Sequence, residues 1–311
     1  MSKLKQLLHF PGSNFIIPMF LVAFIYTFFP SVLELGVPFT GFFTTEATFL
    51  IVAILLFVSG LQTSLEDLIK VARSIGPILI LKILLTGLVT FIWVKLGGND
   101  GWLGISSLAI CATLLSCNPG MYLVLLGEDI SEVEESSFSM VNLLMLPALP
   151  LMLINITQSD GLHVPVLMPL IASLLPFLIG MVVGSLFPNS RQTYAPLSRL
   201  LIPFLAVTFG AKINLIDALH AGPAGLVVTA LFYVLMVLPL YLFDKQWNKN
   251  NGRMALSMHS IAAFSMSIPP FVASFIPSFE PFIAPAISQL ALGVIITSFL
   301  TPYLFEKLVK K

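Results

Sequence analysis

Apolar residues run along this chain in long blocks parted by short polar stretches, as in helices surrounded by hydrocarbon rather than in one-sided helices on a soluble core. Blocks long enough to cross about 30 Å of hydrocarbon lie near 14–30, 46–62, 76–96, 102–127, 138–156, 166–187, 197–212, 222–243, 254–276 and 284–305. The pattern predicts ten spans, two of them interrupted. Leu115-Ser116-Cys117-Asn118-Pro119-Gly120 sits in the middle of the fourth block, and Met266-Ser267-Ile268-Pro269-Pro270 sits in the ninth. Proline inside a helix removes a ladder hydrogen bond, so each segment is expected to split into two half-helices. Non-helical backbone survives at membrane depth only where protein or a water-filled cavity shields it, and a pair of such breaks points to a transport site.

The blocks also repeat in order. Pro18 to Pro30 corresponds to Pro176 to Pro188, Gly60–Asp67 to Gly210–Asp217, Gly76-Pro77 to Gly222-Pro223, and Pro119 to Pro269, at offsets of 158, 150, 146 and 150. The expected architecture is an all-α polytopic membrane protein of two five-helix repeats, 1–157 and 158–311, with discontinuous helices 4 and 9 crossing. Five spans is an odd number, so the second repeat must insert upside down relative to the first.

Composition agrees. Of 311 residues, 57% are hydrophobic and 10% charged, with a mean hydropathy of +0.99, a balance that a soluble domain could not hide. Lys and Arg total 15, as do Asp and Glu, but their placement is uneven. With both termini in the cytoplasm, the inner segments carry Lys3, Lys5, Lys70, Arg73, Arg191, Arg199, Lys245, Lys249, Arg253, Lys307, Lys310 and Lys311, against Lys95 and Lys212 outside. The acidic run Glu128–Glu135 reads as an inner solvated loop, and Ser64–Arg73 as a short surface helix capped by Ser64. The first apolar block lacks a convincing cleavage site and reads as a span, not a signal peptide.

Each break exposes amides at the start of its second half-helix, which favour an anion, and carbonyls at the end of its first, which favour a cation. Candidate substrate-binding residues are Ser116, Cys117, Asn118, Gly120, Ser265, Ser267, Gln289 and Lys212. Candidates for holding a coupling ion or proton are His259, Lys82, Asn118 and Asn142. No Asp or Glu falls in a span core, so a cavity here would attract carboxylates. Phosphate-binding Gly-rich loops, His-Glu-x-x-His metal patterns and nucleophile elbows are missing from the sequence, which argues against an enzyme or an ATP-driven pump. The expected partners are a small organic anion and the lipid bilayer, with no nucleic acid and no cofactor beyond a coupling H+ or Na+.

At this point a family likeness emerges. His9-Phe10-Pro11-Gly12 with Ile17-Pro18, Lys82, Asn118-Pro119-Gly120-Met121-Tyr122, Ile202-Pro203-Phe204-Leu205-Ala206 with Phe209-Gly210, and Phe279-Glu280-Pro281-Phe282-Ile283-Ala284-Pro285-Ala286 resemble the 2-keto-3-deoxygluconate permeases over nearly the whole chain. The resemblance implies proton-coupled import of a sugar-acid anion across the inner membrane. It also implies the ten-span fold shared with bile acid:sodium symporters, in which a core containing the crossed helices moves against a panel. Leu115 and Pro147 stand where the resemblance would place an aspartate and a glutamate. A sodium-coupled carrier of another small anion, with sodium on carbonyls, Ser116, Asn118 and Gln289, is therefore the alternative; a channel or membrane enzyme is a more distant one.

Overall fold

In a computed structural model, residues 13–127, 130–144, 146–157, 166–249 and 251–309 are described. The His9–Gly12 motif, Lys3, Lys5, Glu128, Asp129, Lys310, Lys311 and the start of the second predicted repeat lie outside them. In chain order the helices are α1 (Ser13–Phe28), α2 (Thr45–Gln62), α3 (Leu65–Ser74), α4 (Gly76–Gly97), α5 (Ser107–Leu115), α6 (Pro119–Leu126), α7 (Glu132–Leu143) and α8 (Ala148–Thr157). Then follow α9 (Leu167–Leu186), α10 (Pro188–Gly210), α11 (Leu215–His220), α12 (Gly222–Phe232), α13 (Leu238–Trp247), α14 (Arg253–Met258), α15 (Ile268–Phe275) and α16 (Ile283–Leu308).

Among the described residues, six segments are long and apolar enough to span a bilayer: Thr45–Gln62, Gly76–Gly97, Ser107–Leu126, Leu167–Leu186, Gly222–Trp247 and Pro277–Leu308. Shorter apolar helices cover Ile17–Phe28, Ala148–Thr157, Leu200–Gly210 and Ala263–Phe275. The protein is a helical, multi-pass membrane protein. Exposed Leu50, Ile80, Leu84, Leu88, Val182 and Leu226 form the outward surface that hydrocarbon covers at no cost.

The helices pack in two groups. One consists of α1, α2, α9 and α10; the other joins α4 to α8 with α12 to α16. Glycines set the spacing in the first group. A Cβ on Gly60 would overlap the Phe177 carbonyl, on Gly180 that of Phe57, on Gly184 that of Leu61, and on Gly210 that of Met19. Without a hydrophobic drive between helices in lipid, such close backbone approach supplies the packing. Phe49–Phe271, with centroids 5.7 Å apart, and Phe209–Phe264, 6.2 Å apart, bridge the two groups.

Two expectations need correction. The fifth block is not one helix: Pro147 cannot donate to a ladder, and α7 and α8 separate around it. The acidic run is not all loop either. Ser131 and Glu134 form a capping box at the start of α7, Glu134 Oε2 accepting from Ser131 N and Oγ at 2.9 Å each. The short helix expected after Ser64 is present as α3.

Polar contacts knit the ends of several helices into one cluster. Asn248 Nδ2 donates to Ser74 O (3.2 Å) and Asp244 Oδ1 (2.6 Å), Asp244 Oδ2 accepts from Ala255 N (2.8 Å), and Asn251 Nδ2 donates to Leu308 O (2.9 Å). Arg253 pairs with Glu134 Oε1 at 3.1 Å and donates to Leu126 O at 3.0 Å. Glu134→Gln keeps an oxygen for the capping box but removes the ion pair. It should cost about 1–2 kcal/mol for a half-buried charged hydrogen bond, read as a lowered melting temperature whose deficit shrinks in high salt.

Candidate functional site

Ser106 caps α5 by accepting from Ala109 N (3.1 Å), and the helix runs to Leu115 before Ser116, Cys117 and Asn118 turn the backbone away from helix. Asn118 then caps α6: its Oδ1 accepts from Met121 N at 3.0 Å, with Pro119 in the first turn, where a missing N–H costs nothing. The interruption falls where the sequence places it.

The second lies earlier than expected. Helix α14 ends at Met258, residues 259–262 are non-helical, Ala263–Ser267 form a 3-10 turn, and α15 begins at Ile268. Pro269 and Pro270 thus open the second half-helix instead of marking the break. A further correction follows. Neither proline carries an N–H, and the Ile268 amide is bonded to Ser265 O, so α15 has no free first-turn amides to offer an anion.

The two interruptions meet. Asn118 N donates to Met258 O (2.9 Å), while Ser116 Oγ accepts from Ala262 N and from Ser265 Oγ, both at 2.7 Å. Helix α6 packs on α14, and α5 on α15. Thr297 Oγ1 accepts from Ile261 N (2.9 Å) and Thr301 Oγ1 donates to His259 O (2.9 Å), so one face of α16 holds the non-helical strand in place. Those threonines were not anticipated, although their i, i+4 spacing within an apolar span was a visible signal.

Asn118 and Gly120 are half-buried, unlike their fully buried neighbours Ser116, Cys117 and Pro119. Of the four amides at the start of α6, Pro119 has none, Asn118 is bonded to Met258 O, and Met121 is capped. That leaves the N–H of half-buried Gly120 as the first-turn amide with no protein acceptor among the described residues.

Cys117 Sγ donates weakly to Val141 O (3.5 Å), beside buried Asn142 on α7. Ser267 Oγ is spent on Phe264 O (2.7 Å). Lys212 and Gln289 are not brought to the joined breaks: Lys212 Nζ donates to Thr48 Oγ1 (3.0 Å) within the first helix group, and Gln289 Nε2 to Gly104 O (2.7 Å) near the start of α16. The oxygen set imagined for sodium therefore does not converge. Asn118 Oδ1 and Ser116 Oγ are already engaged by protein donors, and Gln289 points elsewhere.

Two basic groups are buried beside the breaks. Lys82 Nζ donates to Leu114 O at 2.9 Å and lies 5.6 Å from the centre of the Phe232 ring, which also neighbours His259 at 6.3 Å between centroids. His259 Nδ1 bonds Ala255 O, which makes Nδ1 the protonated nitrogen of the neutral ring, and Nε2 is buried with no partner. No Asp or Glu occurs between 76 and 97, 107 and 126, or 253 and 275. Basic groups and the amide end of α6 thus meet at the junction with no carboxylate among these segments, a chemistry suited to an anion.

A family profile described as KdgT: 2-keto-3-deoxygluconate permease matches residues 4–311. A 2-keto-3-deoxygluconate permease of Escherichia coli O157:H7 is 28% identical over 313 residues, covering 97% of this chain and 93% of that protein. The protein of the same description in Escherichia coli (strain K12 / DH10B) is 28% identical over 304 residues, covering 94% and 90%.

Proposed function

The chain belongs to the 2-keto-3-deoxygluconate permease family, and from that premise we propose that it imports 2-keto-3-deoxygluconate or a close sugar-acid analogue with protons, by alternating access around the joined breaks. It is a permease and not an enzyme. The observation that carries the reading is the junction itself, where Asn118 N meets Met258 O and Ser116 meets Ala262 and Ser265, with Asn118 and Gly120 half-buried beside it. The carboxylate sits on the Gly120 N–H at the positive end of α6, and Asn118 Nδ2 donates to the carboxylate or the neighbouring keto oxygen. Lys82 supplies positive charge behind it, and Nε2 of the neutral His259 ring is the proton acceptor.

An inverted-repeat origin with ten spans is supported by matched packing. Gly60 abuts Phe177 and Gly210 abuts Met19; Phe177 is Met19 plus 158, and Gly210 is Gly60 plus 150. Pro18 and Pro176 also occupy equivalent places inside α1 and α9. In this reading α1, α2, α9 and α10 form the panel, and the remainder is the moving core. The polar cluster around Asn248 and Arg253 gathers Arg73, Lys245 and Lys307 segments on one side, which supports a cytoplasmic placement for it and for the end of α16.

Proteoliposomes loaded against an imposed gradient test the reading. An inward proton gradient should drive accumulation of 2-keto-3-deoxygluconate, and collapse of that gradient by a protonophore should abolish it. Accumulation that follows a sodium gradient and ignores the protonophore would contradict proton coupling.

A further inference from the structure

Lys82 lies seven residues into the 22-residue helix α4 and is 0% exposed. A long basic side chain this near a helix end ordinarily snorkels toward water, yet this one turns inward to Leu114 O. Leu114 is in the last turn of α5, where carbonyls lack intrahelical partners and the helix dipole is negative. Thr113 O, beside it, is taken by Ser116 N at 3.1 Å, so Leu114 O is the last-turn acceptor that the ammonium engages. With no carboxylate in α4, α5 or the second interrupted segment, the charge is balanced by peptide carbonyls and the Phe232 ring.

Resting on the transport reading above, we propose that Lys82 is a tethered cation: its ammonium fills, from within the chain, the place at the carbonyl end of α5 that a bound sodium ion would otherwise take. Two buried hydroxyls without partners lie close in sequence to this contact, Thr86 Oγ1 one turn along α4 from Lys82 and Thr113 Oγ1 next to Leu114. Oxygen ligands are what a hard cation needs, and an ammonium on Leu114 O excludes a second cation there by repulsion. The consequence is a carrier indifferent to sodium as built, and made sensitive to it by removing one side chain.

The test is thermal unfolding of the purified full-length protein in sodium chloride against equal potassium chloride, for wild type, Lys82→Arg and Lys82→Ala. Wild type and Lys82→Arg should unfold at the same temperature in both salts, whereas Lys82→Ala should gain several degrees in sodium, saturating with concentration as a bound ligand requires. A sodium-specific rise in wild type, or a folded Lys82→Ala that ignores sodium, overturns the proposal. Should Lys82→Ala not fold, wild-type uptake decides: equal initial rates in sodium and sodium-free buffer support the tethered cation, and a sodium requirement overturns it. Adding 2-keto-3-deoxygluconate to the wild-type melt separates the two readings. Failure of the sugar acid to stabilise the protein would count against the substrate and leave the sodium comparison standing.

Discussion

Gly180→Leu will prevent the protein from assembling, with little or no monodisperse material recovered from detergent, whereas Gly222→Ala will purify like wild type. At Gly180 even a single added carbon would overlap the Phe57 carbonyl and crowd Leu61 N at 3.0 Å, and these are backbone atoms that cannot rotate aside. Overpacking a tight core by a methylene costs about 1–3 kcal/mol. Leucine adds four carbons at a site with no room for one, so the expected loss exceeds roughly 3 kcal/mol, a large part of a typical total stability. Gly60 and Gly184 face the same helix pair and should behave alike. Gly222 is the control: it opens α12 with nothing within 4 Å of a new Cβ. Normal yield and melting temperature for Gly180→Leu would mean that α2 and α9 do not approach as described.

Asn118→Ala should lower 2-keto-3-deoxygluconate affinity by about 10- to 100-fold, as loss of a hydrogen bond to a charged ligand does, while the cap it forfeits costs about 1 kcal/mol of stability. Asn118→Asp separates the two effects. The carboxylate still accepts from Met121 N, so the fold should be kept, but it turns a negative charge toward the substrate's own. Binding should therefore fall further than in Asn118→Ala while the melting temperature stays near wild type. Equal affinity in wild type and Asn118→Asp would remove Asn118 from the site.

Much of this was legible in the chain, because the membrane imposes a simple code: long apolar runs must be helices, and a Ser-Cys-Asn-Pro-Gly cluster within one must be a break. The first interruption and the short helix after Ser64 are readable from local chemistry. The second interruption lies at 259–262, ahead of the prolines that mark it in the sequence. Pro269 and Pro270 instead sit in the first turn of α15, where proline is tolerated, and the true break at 259–262 carries no local breaker; it is held open by Ser116, Thr297 and Thr301 from other segments. The destinations of Lys212 and Gln289 were equally hidden. Each side chain finds a partner more than 160 residues away, Thr48 and Gly104 respectively, and spacing along a chain does not encode such pairings. Lys82 was visible as an anomaly in an apolar helix, but its inward turn to Leu114 O depends on where α5 stops.

The central claim is that an organic carboxylate binds at the junction of the two interrupted helices. Equilibrium binding of radiolabelled 2-keto-3-deoxygluconate to the purified protein, competed by gluconate or by glucose, tests it most directly. The account predicts saturable binding that gluconate displaces, that the neutral sugar does not, and that Asn118→Asp abolishes. Binding displaced equally by glucose, or unchanged in Asn118→Asp, would contradict it.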